Sequence, residues 1–447
     1  MHNPAAASRP FTPPVKRSIN YELWIVAAAL LLTALIPGLS KYRGEDAGTS
    51  SSTNEIFWCL MYVATAIRLY TLRATVVPLF KRSAPLWIFV FLMFASVLWS
   101  VDPATTFTNA VELIGTTIIG FYIVARFTLP QFMGILALTF LAIALLSFGF
   151  IYGAPAHGRE NWGGGPWEGL YQDKNNLGAA TALAIISQVI FLAYSRGRTR
   201  RFVIAGLVLL CVLLVGSDSA TAFGDGFLVV AVSLGLLVAK SPKFGGLARI
   251  LMVALAAIAV VAVFGFGLTP ASVFSLLGRE PNLTGRTDFW PYLQQAIADR
   301  PWLGYGYNAF FRSGVALDYL QDYIVGAGGW TPYHAHNSFL QILLDSGYVG
   351  LASLGLLLVD GLRKAVVYGF REPGRFAPWP LAIILYLLLG SFTETYFGNF
   401  NTVEWILFVA ALLYPMRGLA LAQKAAPARL TFTKDSPLGP VPAARAR

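Results

Sequence analysis

Two of the chain's 4 histidines stand one residue apart in His334-Ala-His336-Asn337-Ser338, just before the apolar run Phe339 to Leu358. Histidine is the side chain whose ordinary pKa, about 6.5, suits it to proton transfer near neutrality. His336 and His334 are therefore the candidates for general acid–base chemistry. Asn337 or Ser338 can cap the helix that follows, and Ser338 with Gln341 three residues on has the pattern of a capping box. A helix start of this kind offers free N–H groups and a partial positive charge to an anion. The stretch thus sets a base beside an anion site on Asn337 and Ser338.

The elements that must position these residues follow from composition. Of 447 residues 56% are hydrophobic and only 12% charged, with mean hydropathy +0.62; so few charges cannot solvate a soluble surface. Leu23 to Ser40, Asn175 to Ser195 and Ile250 to Gly278 each reach the roughly 18 uncharged residues that cross a bilayer as a helix. They are too long and too continuously apolar for barrel strands, and backbone in lipid must satisfy itself, so the fold class is all-α and polytopic. Cys59 and Cys211 both fall in apolar runs, which predicts small buried hydrophobes and excludes a disulfide framework. The net charge of +11 sits mostly in short loops and the C-terminal tail, a membrane-topology signal that excludes nucleic acid as a partner.

Taken in order, the spans are Leu23 to Leu39, Ile56 to Leu72, Leu86 to Ser100, Phe107 to Ala125, Phe132 to Tyr152, Asn176 to Tyr194, Phe202 to Gly216, Ala220 to Ala239, Leu247 to Leu268, one starting at Ser338, Pro380 to Ser391 and Thr402 to Tyr414. Alternating them puts every basic cluster, above all Arg196 to Arg201, on the cytoplasmic side, so about twelve spans is self-consistent. The expected organisation is a cytoplasmic tail over 1–20, nine helices over 21–268, a large periplasmic loop over 269–337, three helices over 338–416 and a basic cytoplasmic tail over 417–447. The N-terminal segment has no small-residue cleavage site after the first apolar run and reads as a retained tail. Asp218 and Asp225 share a helix face, and Asp345 is similarly placed in the tenth span; pairing with Arg68 or Arg73 is an equal explanation to function for these acids. No repeat relates the two halves, which disfavours a transporter or flippase.

Three motifs carry a resemblance. His336-Asn337 is followed by nine residues, Gly347, two residues and Gly350. Ahead of it lie Gly285-Arg286 before Trp290, then Arg300-Pro-Trp302-Leu-Gly304-Tyr-Gly306-Tyr-Asn308. In order, spacing and membrane side these resemble the bacterial O-antigen ligase and O-antigen polymerase superfamily. Asp173-Lys174-Asn175-Asn176-Leu177-Gly178 is similar to an element of its exopolysaccharide-polymerase branch. The resemblance implies a GT-C-like glycosyltransferase of the inner membrane with both termini cytoplasmic. It would polymerise undecaprenyl-pyrophosphate-linked repeat units, with inversion and with no metal or other cofactor, alongside chain-length regulators and export proteins. The nearer alternative is ligation of a lipid-linked glycan to lipid A-core.

Such a transfer needs cations for the diphosphate leaving group and a base for the acceptor hydroxyl. Arg286, with a planar fork, is the first choice for the diphosphate, against a competing pairing with Asp288. Lys174 and Arg159 come next, with Arg279, Arg300 and Arg312 in reserve; a snorkelling lysine is the competing reading of Lys174. His336 is the base, and His334 shares its duty or orients an acceptor sugar. Trp290, Tyr305 and Tyr307, with Trp162, Trp167, Trp302 and Trp330, offer faces for sugars, although tryptophans at such positions also serve as interface anchors. Glu394 resembles a family acid near the active site. The turn Ser217-Asp218-Ser219 lacks an arginine that many ligases of the superfamily use for the diphosphate.

Overall fold

Uncharged runs become helices here because a helix satisfies its own backbone, and their ends fall where a capping side chain or proline is available. The computed structural model describes residues 21–43, 52–161, 164–239, 245–246, 286–327, 329, 331–371 and 376–425. The helices are α1 (Tyr21–Tyr42), α2 (Ser52–Thr71), α3 (Arg73–Arg82), α4 (Ala84–Ala95), α5 (Pro103–Arg126), α6 (Leu129–Gly153), α7 (Pro155–Gly158), α8 (Lys174–Leu192), α9 (Gly197–Gly216) and α10 (Ala220–Ala239). After the segment outside the described residues come α11 (Arg286–Asp299), α12 (Val315–Gly326), α13 (Ser338–Arg371), α14 (Trp379–Gly390) and α15 (Val403–Ala425). Asp102 caps α5 by accepting from the Thr105 N–H at 3.1 Å, with Pro103 in the first position. Thr128 and Gln131 form a capping box at α6.

Among the described residues 7 helices are long and apolar enough to cross a membrane, and 8 if the bent pair α2 and α3 is one span. This is an all-α polytopic membrane protein. The bend, 102°, falls at Leu72, where the second span was expected to end. The expected ninth span, the tails 1–20 and 426–447, and Trp162, Trp330, Arg279 and the first part of the large loop lie outside the described residues.

α15 runs through the middle of the bundle, buried from Val403 to Met416, with α5, α13 and α14 packed around it. Its Trp405 indole donates to Thr117 Oγ1 at 2.9 Å, and Trp379 of α14 donates to Ser187 Oγ at 3.0 Å. Each satisfied buried donor is worth about 1 kcal/mol, and losing its partner costs more. At the rim, α2, α9 and α10 turn Ile67, Val208, Val215 and Phe227 outward, as lipid-facing helices do. Cys59 and Cys211 are free thiols on these outward faces, not buried as expected. An apolar run does not reveal which face meets protein and which meets lipid.

At one end of the bundle several basic residues are tied together. Glu22 is ion-paired with both Arg68 and Arg126, Arg417 donates to the Phe127 carbonyl at 2.7 Å, and Lys364 donates to the Arg82 carbonyl at 2.9 Å. Arg68 is thus committed to Glu22 and Arg73 stacks on Tyr70, so neither pairs with Asp225, which lies against Gly390 of α14. At the opposite end, α11 and α12 build a small core of their own around Phe289, Leu293, Tyr305, Phe310 and Leu320, joined to α13 through Leu344.

α13 is broken at Ser346 and Gly347, and the break receives the loop. Tyr305 N–H donates to the Leu344 carbonyl at 2.7 Å and Gly306 N–H to Asp345 at 3.0 Å, while Tyr348 N–H donates to Pro301 at 2.7 Å. Backbone groups freed by the break are therefore satisfied by the loop. Gly347 has φ +61°, and a Cβ there would lie 2.2 Å from the Trp302 carbonyl carbon. Gly304, at φ +64°, would meet the Leu344 carbonyl oxygen at 2.4 Å. These two glycines of the motifs are thus the seam between loop and helix.

Candidate functional site

The start of α13 differs from the expected capping box. Asn337 is the cap, its Oδ1 accepting from the N–H groups of Phe339 at 2.9 Å and Leu340 at 3.1 Å. Ser338 N–H donates to the Ser391 and Glu394 carbonyls. Its hydroxyl donates at 3.0 Å to Ser391 Oγ and accepts at 2.8 Å from Tyr396 N–H. The N–H groups of Ser338, Phe339 and Leu340 at this helix start, where an anion was expected, are therefore taken by the protein itself. Gln341 does not close on Ser338. Its amide oxygen accepts from Ala335 N–H at 3.0 Å and its amide nitrogen donates to Asp345 Oδ1 at 3.0 Å. Asp345 also accepts from Asn308 N–H at 3.0 Å, so this acid fixes the histidine loop and the large loop to one helix.

What these ties position is a three-residue relay. His336, in the left-handed region at φ +46°, brings its Nδ1 to 3.3 Å from Glu394 Oε2. Glu394 Oε1 accepts from Arg286 Nη2 at 2.6 Å, and the other end of the guanidinium donates to the Thr393 carbonyl. All three are shielded: their side chains are 12%, 9% and 10% exposed. Glu394 so placed accepts from a His336 Nδ1–H and leaves Nε2 as the basic nitrogen. Burial, then the Arg286 charge, pushes the His336 pKa well below 6.5, opposed by Asp173, so the imidazole is neutral at neutral pH.

The His334 ring lies against that of His336, tilted by 48° with ring centres 3.9 Å apart, and its Nδ1 accepts from His336 N–H at 3.0 Å. Its proton must then sit on Nε2, and burial keeps this ring neutral too. Trp290 braces the loop by donating to the Ala335 carbonyl at 3.0 Å, so it holds the histidines in place and its indole N–H is engaged.

Other expected residues lie elsewhere. Tyr305 is buried in the loop core, donating to the Ala296 carbonyl at 2.8 Å, and Tyr307 is fully buried and bonded to the Gly398 carbonyl. Neither offers a face to a sugar; their spacing serves the docking of the loop. Arg159 donates from Nε to the Ile151 carbonyl at 3.2 Å with its guanidinium against Tyr152 and Trp167. Lys174 sits 3.6 Å from Glu160 at the head of α8. The turn Ser217-Asp218-Ser219 meets that same head, Ser219 Oγ donating to Asn175 Oδ1 at 3.1 Å.

Three contributors were not anticipated. Asp173 caps α8 by accepting from Asn175 and Asn176 N–H groups at 2.8 and 2.9 Å, and its second oxygen accepts from Tyr333 OH at 3.2 Å. The signal was present as an Asp before Lys-Asn-Asn, a cap pattern, though its link to Tyr333 spans 160 residues. Thr395 stands 3.4 Å from His334 Nδ1. Lys41, at the end of α1, is ion-paired with Glu168 within electrostatic reach of Asp173 and Glu160.

Tyr333, His334, Glu394 and Thr395 form one wall of a cavity of about 270 Å³, which continues past Tyr171 and Glu404 to Asn109, Glu112, Asn308 and Arg312. A polar, amide-rich chamber walled by His334 and the Glu394 carboxylate that holds His336 is suited to a hydroxyl-bearing ligand.

A family model described as O-antigen ligase matches residues 203–355, which include the histidine motif and the loop seam. The exopolysaccharide production protein ExoQ of Rhizobium meliloti (strain 1021) is 25% identical over 319 residues, covering 68% of this chain and 71% of that protein. These two matches make the chain similar to the O-antigen ligase and polymerase superfamily, and to its ExoQ-like side.

Proposed function

We propose that the protein is a membrane glycosyltransferase that lengthens polysaccharide on the periplasmic side of the inner membrane, using undecaprenyl-pyrophosphate-linked oligosaccharide repeat units. The observation that carries this reading is the relay Arg286–Glu394–His336 beside a polar cavity. His336 Nε2 takes the proton of an acceptor hydroxyl as its oxygen attacks the anomeric carbon, the bond to the diphosphate breaks with inversion, and undecaprenyl pyrophosphate leaves. Glu394 fixes the Nδ1–H tautomer and stabilises the imidazolium that forms. His334, able only to donate from Nε2, orients the sugar. Arg286 and Lys174 are the cations closest in sequence logic to the leaving diphosphate, with no metal in the step. The topology we propose has about twelve spans with both termini cytoplasmic.

The family model's description favours a second reading, ligation to lipid A-core. Purified protein incubated with lipid-linked repeat units alone separates the two. A ladder of longer lipid-linked chains, lost in His336→Ala, is the expected result; transfer only after lipid A-core is added would make it a ligase, and neither product would overturn both.

A further inference from the structure

Of the relay, Glu394 lines the cavity beside His334, and the same cavity holds charged groups that the relay does not use. Asn109 and Glu112, three residues apart on α5, share a helix face and line it. Opposite them the large loop contributes Asn308 and Arg312. Asn109 is buried, yet its Nδ2 has no hydrogen-bond partner. Among the described residues neither the Glu112 carboxylate nor the Arg312 guanidinium has a hydrogen bond or ion pair, although each lies within the other's electrostatic reach. Glu22 with Arg68 and Arg286 with Glu394, by contrast, close into ion pairs. Opposite charges that share a chamber without closing on each other leave room for a ligand that both donates and accepts.

A sugar ring is that ligand. Its hydroxyls donate to a carboxylate and accept from guanidinium and amide N–H groups at once, and the walls add the apolar faces of Trp58 and Phe311. A diphosphate fits less well, since Glu112 would oppose it. We propose that Asn109, Glu112 and Arg312 form a glycan subsite that holds the acceptor sugars, deepening the polymerase reading on which it rests. Arg312 is then a sugar-binding group, distinct from the cations of the leaving diphosphate.

The test uses the full chain in detergent and two probes. One is the lipid-free oligosaccharide released by mild acid from the host cell's lipid-linked repeat units; the other is undecaprenyl pyrophosphate carrying no sugar. Glu112→Gln and Arg312→Gln are expected to weaken oligosaccharide binding by about tenfold each, the loss of one charged hydrogen bond, and to leave binding of the sugar-free lipid unchanged. Arg312→Lys should restore part of the loss. Asn109→Ala, which removes the carboxamide with its unpartnered donor, carries the test should a charge variant melt early. Equal oligosaccharide affinity in wild type and all variants would overturn the subsite while chain lengthening by the wild type upheld the enzyme. Loss of sugar-free lipid binding in Arg312→Gln would overturn it as well, making Arg312 a diphosphate group. Binding of neither probe by the wild type would overturn subsite and enzyme together.

Discussion

Glu394 Oε2 lies 3.3 Å from His336 Nδ1, joining residues 58 positions apart on the two sides of α13 and α14. The same carboxylate is held from its other oxygen by Arg286, at the start of α11. A base on a short loop is thereby given a fixed tautomer by two elements remote in sequence.

Replacing Glu394 by Gln tests that role. An amide that donates to Nδ1 would move the imidazole proton to Nε2, the nitrogen required as base. Turnover should fall by about 10²–10³-fold with the melting temperature little changed, read in the product-ladder assay with purified protein. Full activity in Glu394→Gln would remove the carboxylate from the mechanism.

The pH profile of initial rate separates electrostatics from packing. His336 must be neutral to act, and its lowered pKa keeps it so as pH falls through 6.5, so the acid limb should lie below pH 6.5. The Arg286 charge lowers this pKa and the Asp173 charge raises it. Arg286→Gln should therefore move the acid limb to higher pH, and Asp173→Asn should move it lower. Shifts of the same sign in both would contradict this arrangement.

Gly347→Ala probes the seam between large loop and α13. The new Cβ would lie 2.2 Å from the Trp302 carbonyl carbon, at a backbone φ of +61°. We expect a loss of about 1–3 kcal/mol, faster proteolysis in the large loop and loss of product, although residue 347 touches no catalytic group. A variant with unchanged proteolysis would mean the loop does not depend on this contact.

At the other end, Glu22→Gln removes the carboxylate shared by Arg68 and Arg126. Breaking a buried pair costs about 3–5 kcal/mol. These arginines are 30% and 31% exposed, so solvent screening reduces the expected loss to about 1–2 kcal/mol. Thermal melting should drop while turnover per folded molecule stays the same; a fall in turnover alone would place Glu22 in the function.

The sequence by itself determined the all-α membrane character, most helix positions and the histidine pair, because apolar run length and residue type are local properties. The helices Ala220–Ala239 and Trp379–Gly390 lie within a residue or two of their expected bounds. Motif glycines such as Gly347 were legible as spacing, but their reason, a loop docked into a helix break, was not. Only the tertiary structure decided which polar groups meet. It gave Arg286 and His336 a common partner in Glu394, buried Tyr305 and Tyr307 under the loop, tied Arg159 to Ile151 and set Asp173 beside Tyr333. It also turned Cys59 and Cys211 outward. Side-chain partners in a bundle are chosen by which helix faces pack together, and each such choice joins residues that are distant along the chain.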